Sequence, residues 1–109
     1  MKTPWPLIRG RVYAVKVAPV EGEKYFLVVS NNRRNGQLPQ ALGVRLTTSL
    51  KPVMPSIVEL PPGEVFIGRA LCDDIVELYQ DEIIRDLGAL APRSMDQINR
   101  GLKAALDIP

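Results

Sequence analysis

The sequence predicts a β-rich α+β domain: about five short strands in a small curled sheet or barrel, followed by a C-terminal amphipathic helix. Two observations carry that prediction. Runs of β-branched and aromatic residues recur between Gly-, Pro- and Asn-rich turns, and the last third of the chain changes to apolar spacings of three and four. A third observation bounds it. The chain has 109 residues, 46% apolar and 24% charged, which is an ordinary globular composition for a single domain spanning 1–109.

Leu7 to Val17 reads as the first strand, with Ile8, Val12, Tyr13, Val15 and Val17 interrupted by Arg9, Arg11 and Lys16. Pro19 and Gly22 punctuate a turn. Tyr25 to Ser30 is the strongest strand, an apolar run too short for a helix. Asn31-Asn32-Arg33-Arg34-Asn35-Gly36 reads as loop, ending on an Asn-Gly turn signal. Ala41 to Thr48 and Ser56 to Leu60 read as strands, then Pro61-Pro62-Gly63 forces a sharp turn. Gly68 to Leu78 completes the set, with Asp73-Asp74 breaking its middle. Tyr79 to Leu87 is expected to hold a short helix ending near Gly88. Pro92 suits the first turn of a helix, and Met95, Ile98, Leu102 and Leu106 form its apolar stripe.

Composition excludes much chemistry. With no histidine, imidazole acid–base catalysis and histidine triads are impossible. One cysteine and no histidine leave no zinc site of the usual kind, and no phosphate-loop or dinucleotide glycine fingerprint occurs. No metal or cofactor is therefore expected. Cys72, beside Asp73 and Asp74, lacks the electropositive setting of a reactive thiolate and is assigned to the core. The single cysteine fits a reducing compartment, Met1 to Pro6 holds no apolar core of signal-peptide length, and no apolar run reaches membrane-spanning length. The cytoplasm is the expected location. Charge is unevenly placed: residues 1–51 carry nine Lys or Arg against two acids, whereas residues 52–109 carry five against ten. A basic half of that kind suits a polyanion such as single-stranded RNA, unless folding interleaves the two sets.

One constellation has a geometric basis. Side chains two apart share a strand face, so Arg45 and Thr47 point the same way. Lys24 opens the neighbouring strongest strand. If those two strands pair, Lys24, Arg45 and Thr47 ring one small pocket, and two cations with a hydroxyl suit a phosphodiester gathering charge on its non-bridging oxygens. Arg33 and Arg34 are placed to hold flanking phosphates. The same three residues also fit a solvated strand edge with no common purpose.

At these residues the chain resembles the MazF/PemK family of toxins from type II toxin–antitoxin modules. Arg9-Gly10-Arg11-Val12-Tyr13 is similar to the family's opening strand, and Pro19 to its proline before the first loop. Lys24-Tyr25-Phe26-Leu27-Val28-Val29-Ser30-Asn31 is similar to its second strand, and Leu46-Thr47-Thr48 to the end of its third. Val58-Glu59-Leu60, Leu71-Cys72-Asp73-Asp74-Ile75 and the closing helix follow in the family's order. The resemblance implies an SH3-like, CcdB/MazF-like curved barrel, usually a homodimer blocked by a cognate antitoxin. It also implies a metal-independent endoribonuclease that cuts single-stranded RNA at short sequences, the 2′-hydroxyl attacking phosphorus to leave a cyclic phosphate and a 5′-hydroxyl. The family's catalytic threonine falls on Thr47 and its catalytic arginine on Lys24. The acidic-or-amide pair that meets RNA bases falls on Asp73 and Asp74, with Asn31, Arg33 and Arg34 as further RNA contacts.

Two departures qualify what the resemblance implies. Lysine keeps the positive charge of arginine but loses its bidentate fork, and Arg45, where the family often has proline, is placed to restore a guanidinium. The segment between Pro19 and Lys24 is shorter than the family's glycine-rich loop, which leaves a more open groove. These departures keep a second function in view: a non-catalytic member of the fold that binds RNA or inhibits a protein target such as DNA gyrase. A third is a generic SH3-like module for a partner peptide.

Overall fold

The structure, a computed structural model, describes residues 5–16 and 22–109. Pro19, the start of the shortened segment behind it and the end of the first predicted strand at Val17 lie outside the described residues.

Six strands form one antiparallel sheet: β1 (Arg11–Lys16), β2 (Glu23–Val28), β3 (Gln40–Thr47), β4 (Ile57–Glu59), β5 (Arg69–Tyr79) and β6 (Ile83–Ala89). Their order is β4-β5-β3-β2-β1-β6, so the sheet is not closed and β4 and β6 are its edges. Five of these strands lie where the sequence places them, shifted by one to four residues at their ends.

The sixth is a correction. The helix expected over Tyr79 to Leu87 is a single 3₁₀ turn, Gln80–Glu82, followed by strand β6. Pairing decides the outcome. β6 satisfies the otherwise bare edge of β1, with Tyr13 opposite Asp86 and Val15 opposite Ile83 across two register shifts. A second correction concerns Asn31 to Gly36, read as loop. Asn32–Asn35 makes one helical turn, α1, because the Asn31 Oδ1 accepts the Arg34 N–H at 2.8 Å. Asn35 is wholly buried there and donates to the carbonyls of Leu7 and Ser30.

Topology makes the sheet curl. β5 and β6 are consecutive in the chain but four strand spacings apart in the sheet, about 19 Å if it were flat. Four residue steps from Tyr79 to Ile83 reach at most about 14 Å, so the ends meet only if the strands between them bend round. Tyr13, Val15, Phe26, Val28, Ala41 and Leu78 fill the concave side. On the other face Leu27, Val44, Leu46, Ala70 and Cys72 pack with Ile98 of the C-terminal helix α2 (Pro92–Leu106).

Helix α2 starts at Pro92 as predicted, and its first turn is held from outside. Glu64 accepts the Ala91 N–H at 3.0 Å and the Ser94 hydroxyl. Of the predicted stripe, Met95, Ile98 and Leu102 reach the core, whereas Leu106 is 54% exposed and Ala105 packs in its place. The helix lies very close on the sheet: a Cβ on Gly101 would stand 2.7 Å from Val58 Cγ2 and 2.8 Å from Cys72 Sγ. Cys72 is fully buried, as the sequence reading assigned it.

Candidate active-site cleft

The β2–β3 register builds the site. Tyr25 pairs with Leu46 and Phe26 with Arg45, so one step further Lys24 faces Thr47. Strand alternation then puts Lys24, Arg45 and Thr47 on the face shared with Phe26, the concave one, at its open end. An open cleft of about 230 Å³ occurs at this end of the sheet, lined by Lys24, Arg45 and Thr47 and, from the cluster on the other face, by Tyr25 and Phe66 among others. The three residues that the sequence groups are therefore brought together.

Each is held differently. Thr47 is buried, and its Oγ1 accepts the Ser49 N–H at 3.1 Å. That bond occupies one lone pair and leaves the hydroxyl proton to be donated to a ligand. Arg45 is half-buried, and its Nε is buried without a hydrogen-bond partner among the described residues. A buried N–H of that kind costs about 1–3 kcal/mol unless something accepts from it. Glu23 also borders the cleft, but its carboxylate is committed elsewhere. Arg85 Nη1 lies 2.6 Å from Glu23 Oε1, and the Tyr25 hydroxyl donates to Oε2 at 3.2 Å. The Arg85 hydrogen bond holds the Glu23 carboxyl below its ordinary pKa. Lys24 and Arg45 consequently make no ion pair among the described residues, and both charges face the cleft.

Folding interleaves part of the charge asymmetry, since Arg11 pairs with Asp86 at 2.8 Å and Glu23 with Arg85. The cations at the cleft escape that pairing. Asp73 and Asp74 sit at a bulge in β5: Val44 pairs with Ile75 but Arg45 with Leu71, so Cys72, Asp73 and Asp74 are looped out of register. The bulge brings the acidic pair level with Arg45. Asn31, Arg33 and Arg34 are not brought to the cleft. They follow the opposite end of β2, which runs from Glu23 to Val28 and carries the chain away from Lys24. Asn31 caps α1, and Arg34 donates to the Gln40 carbonyl at 3.0 Å; Arg33 is exposed.

Three residues at the cleft were not singled out from sequence. Tyr25 and Phe66 form a tilted ring pair with centroids 5.4 Å apart, giving the cleft an aromatic wall. Gly68 has φ +141°, and a Cβ there would stand 2.2 Å from the Thr47 carbonyl oxygen. Only glycine lets the start of β5 approach the Thr47 backbone so closely. The available signal was Gly68 itself, one residue before a strand.

Comparison with known proteins identifies the family that this fold belongs to. The family profile described as "PemK-like, MazF-like toxin of type II toxin-antitoxin system" matches residues 8–106. Endoribonuclease MazF1 of Mycobacterium bovis is 36% identical over 102 residues, covering 94% of each chain, and Endoribonuclease MazF4 of Mycobacterium tuberculosis matches equally well. Among solved structures, a mycobacterial endoribonuclease in complex with its cognate antitoxin superimposes with a TM-score of 0.87 at 36% identity, over 95% of this chain and 98% of the other. The MazE–MazF complex of Deinococcus radiodurans gives 0.80 at 18% identity over 97% and 100%, a likeness of fold alone. The chain belongs to the PemK/MazF-like toxin family of type II toxin–antitoxin systems.

Proposed function

We propose that this toxin is a metal-independent, sequence-selective endoribonuclease that cuts single-stranded RNA at the Lys24–Arg45–Thr47 cleft. The observation that carries the proposal is the buried, unpartnered Nε of Arg45, in a residue that lines one cleft with Lys24 and Thr47. Such a donor is satisfied when an anionic oxygen enters. The curated relatives bear the name endoribonuclease, which supports RNA as that anion's source.

In this reading Arg45 and Thr47 donate to the non-bridging oxygens, where charge gathers as the ribose 2′-oxygen bonds to phosphorus. The bond from phosphorus to the 5′-oxygen breaks, Lys24 protonates that leaving oxygen, and the 2′ proton passes to solvent. The products are a 2′,3′-cyclic phosphate and a 5′-hydroxyl. Asp73 and Asp74, beside the cleft, contact bases; Asn31, Arg33 and Arg34 hold phosphates further along the strand. The toxin works in the cytoplasm as a homodimer and is neutralised by a cognate antitoxin. A structural neighbour in complex with its own antitoxin supports that last element. None of the helices among the described residues is long and apolar enough to cross a membrane.

The test is incubation of purified protein with a long single-stranded RNA in EDTA, with Thr47→Ala alongside and fragment ends sequenced. Discrete cuts bearing 5′-hydroxyl ends, absent with Thr47→Ala, are expected. RNA left intact, or cuts that persist in Thr47→Ala, would overturn the proposal.

A further inference from the structure

A second cavity lies on the same concave face as the cleft. It encloses about 170 Å³ and is lined by Val15, Phe26, Val76, Glu77, Leu78 and Glu82. The curl of the sheet creates it, because the 3₁₀ turn from β5 to β6 carries Glu82 over the strands between them. The cavity adjoins the cleft through two residues. Val15 pairs directly with Lys24, and Phe26 pairs with Arg45 while lying two residues beyond Lys24 on the same face. A nucleotide whose phosphate sits between Lys24 and Arg45 thus has its base or its neighbour's base within reach of this cavity.

The lining says what kind of ring fits. Val15, Phe26, Val76 and Leu78 give an apolar floor, and the two carboxylates stand at its edge. Those carboxylates are not equivalent. Both oxygens of Glu77 are engaged, by Gln40 Nε2 at 3.2 Å and the Tyr79 hydroxyl at 2.9 Å. Glu82 uses only Oε1, which accepts the Tyr79 N–H at 2.9 Å, and its Oε2 has no partner among the described residues. One free anionic oxygen at the edge of an apolar slot reads one hydrogen-bond donor.

We propose that this cavity is a base-reading subsite next to the cut phosphate, in which Glu82 selects a base carrying an exocyclic amino group over uracil. The chemistry follows from the donor patterns of the bases. Cytosine N4 and adenine N6 each offer an amino hydrogen to a carboxylate oxygen. Uracil presents carbonyl oxygens on both sides of its one ring N–H, and they meet the Glu82 charge unfavourably. Guanine N2 is a third amino donor of the same kind. The subsite deepens the ribonuclease reading and rests on it for the cutting step, but not for base preference.

The test uses the full chain and its Glu82→Gln variant with a randomised single-stranded RNA pool, cut ends being sequenced. In parallel, binding of 2′-O-methyl oligonucleotides of cytidine, adenosine and uridine, which cannot be cut, is followed by fluorescence anisotropy. The parent protein is expected to favour a base carrying an exocyclic amino group about tenfold over uracil at one position beside the cut, the factor one mispaired buried polar group commands. Which of these bases prevails is read from the same data. Glu82→Gln, whose amide can donate to a uracil carbonyl, is expected to bring that ratio to near unity. An unchanged ratio in Glu82→Gln, or no base preference in the parent, would overturn the subsite. A parent that cuts nothing yet binds cytidine or adenosine oligonucleotides tenfold more tightly than uridine, with the difference lost in Glu82→Gln, would sink the nuclease reading and leave the subsite standing.

Discussion

Arg45→Met should separate activity from stability, because the same atom serves one and burdens the other. Methionine keeps most of the aliphatic stem that packs in the cleft and removes the guanidinium. In the folded chain the Arg45 Nε is buried with no partner among the described residues. An unsatisfied buried donor costs about 1–3 kcal/mol. Arg45 as a whole is only half-buried, which puts the relief at the lower end of that range. Stability should therefore hold or rise by up to ~1 kcal/mol, an increase in Tm of at most about 6 °C for a chain of this size. Cleavage should fall by about 10²–10³, as when one donor to a developing oxyanion is removed. Thermal unfolding by circular dichroism and initial cleavage rates on one defined RNA measure both quantities on the same preparation. A variant that melts more than 5 °C lower and still cuts within threefold of the parent would refute the reasoning. Arg45 would then be a packing residue that happens to border a cleft.

Three further outcomes follow from separate parts of the molecule. Gly101→Ala should destabilise the protein by about 1–2 kcal/mol in urea unfolding, since the ~1 kcal/mol gain in helix propensity is outweighed by a Cβ placed 2.7 Å from Val58 Cγ2. Cys72, buried and with its thiol pushed up to about 11 by burial, should resist a thiol reagent at pH 8 in the native protein and react at once in denaturant. Glu23 is held below its ordinary pKa chiefly by the Arg85 hydrogen bond, so its contribution to stability is complete above the unfolded value and is lost as pH falls through the folded one. Glu23→Gln should accordingly flatten the pH dependence of Tm below about pH 5, and a profile parallel to the parent's would show that the pair contributes nothing.

The strands and the central triad could be read from sequence because both depend on short-range regularities. Alternation alone puts Arg45 and Thr47 on one face, and the β2–β3 register then brings Lys24 opposite. What could not be read depends on distant partners. Ile83 to Ala89 contains charges and a glycine and carries little strand signal of its own; it becomes a strand because β1 needs a partner from far along the chain, Arg11 pairing with Ala89 and Tyr13 with Asp86. Asn31 to Gly36 has a loop's composition, yet one side-chain acceptor turns it into a helical turn that buries Asn35. The same dependence separates Arg33 and Arg34 from the cleft: charge counting groups them with Lys24, while the length of β2 sets them apart.

In the proposed mechanism Lys24 stands in for the family arginine, and that changes how the rest of the cleft must work. A lysine presents a point charge on a flexible stem and cannot fix the orientation of a phosphate by itself. Orientation then has to come from donors whose positions the sheet sets. Arg45 Nε is such a donor, confined by its burial on a strand paired with Phe26, and the Thr47 hydroxyl is another, held by its bond to the Ser49 N–H. Gly68 sustains the second of these by letting β5 lie against the Thr47 carbonyl. In the proposed mechanism the cleft thus divides the labour of one arginine: Lys24 supplies charge and a proton, and the strand β3 supplies direction. On that division Lys24→Arg should restore little if Arg45 is intact, but should rescue much of the activity lost in Arg45→Met. Equal gains from Lys24→Arg in both backgrounds, measured as cleavage rates on one RNA, would show that the two cations act independently.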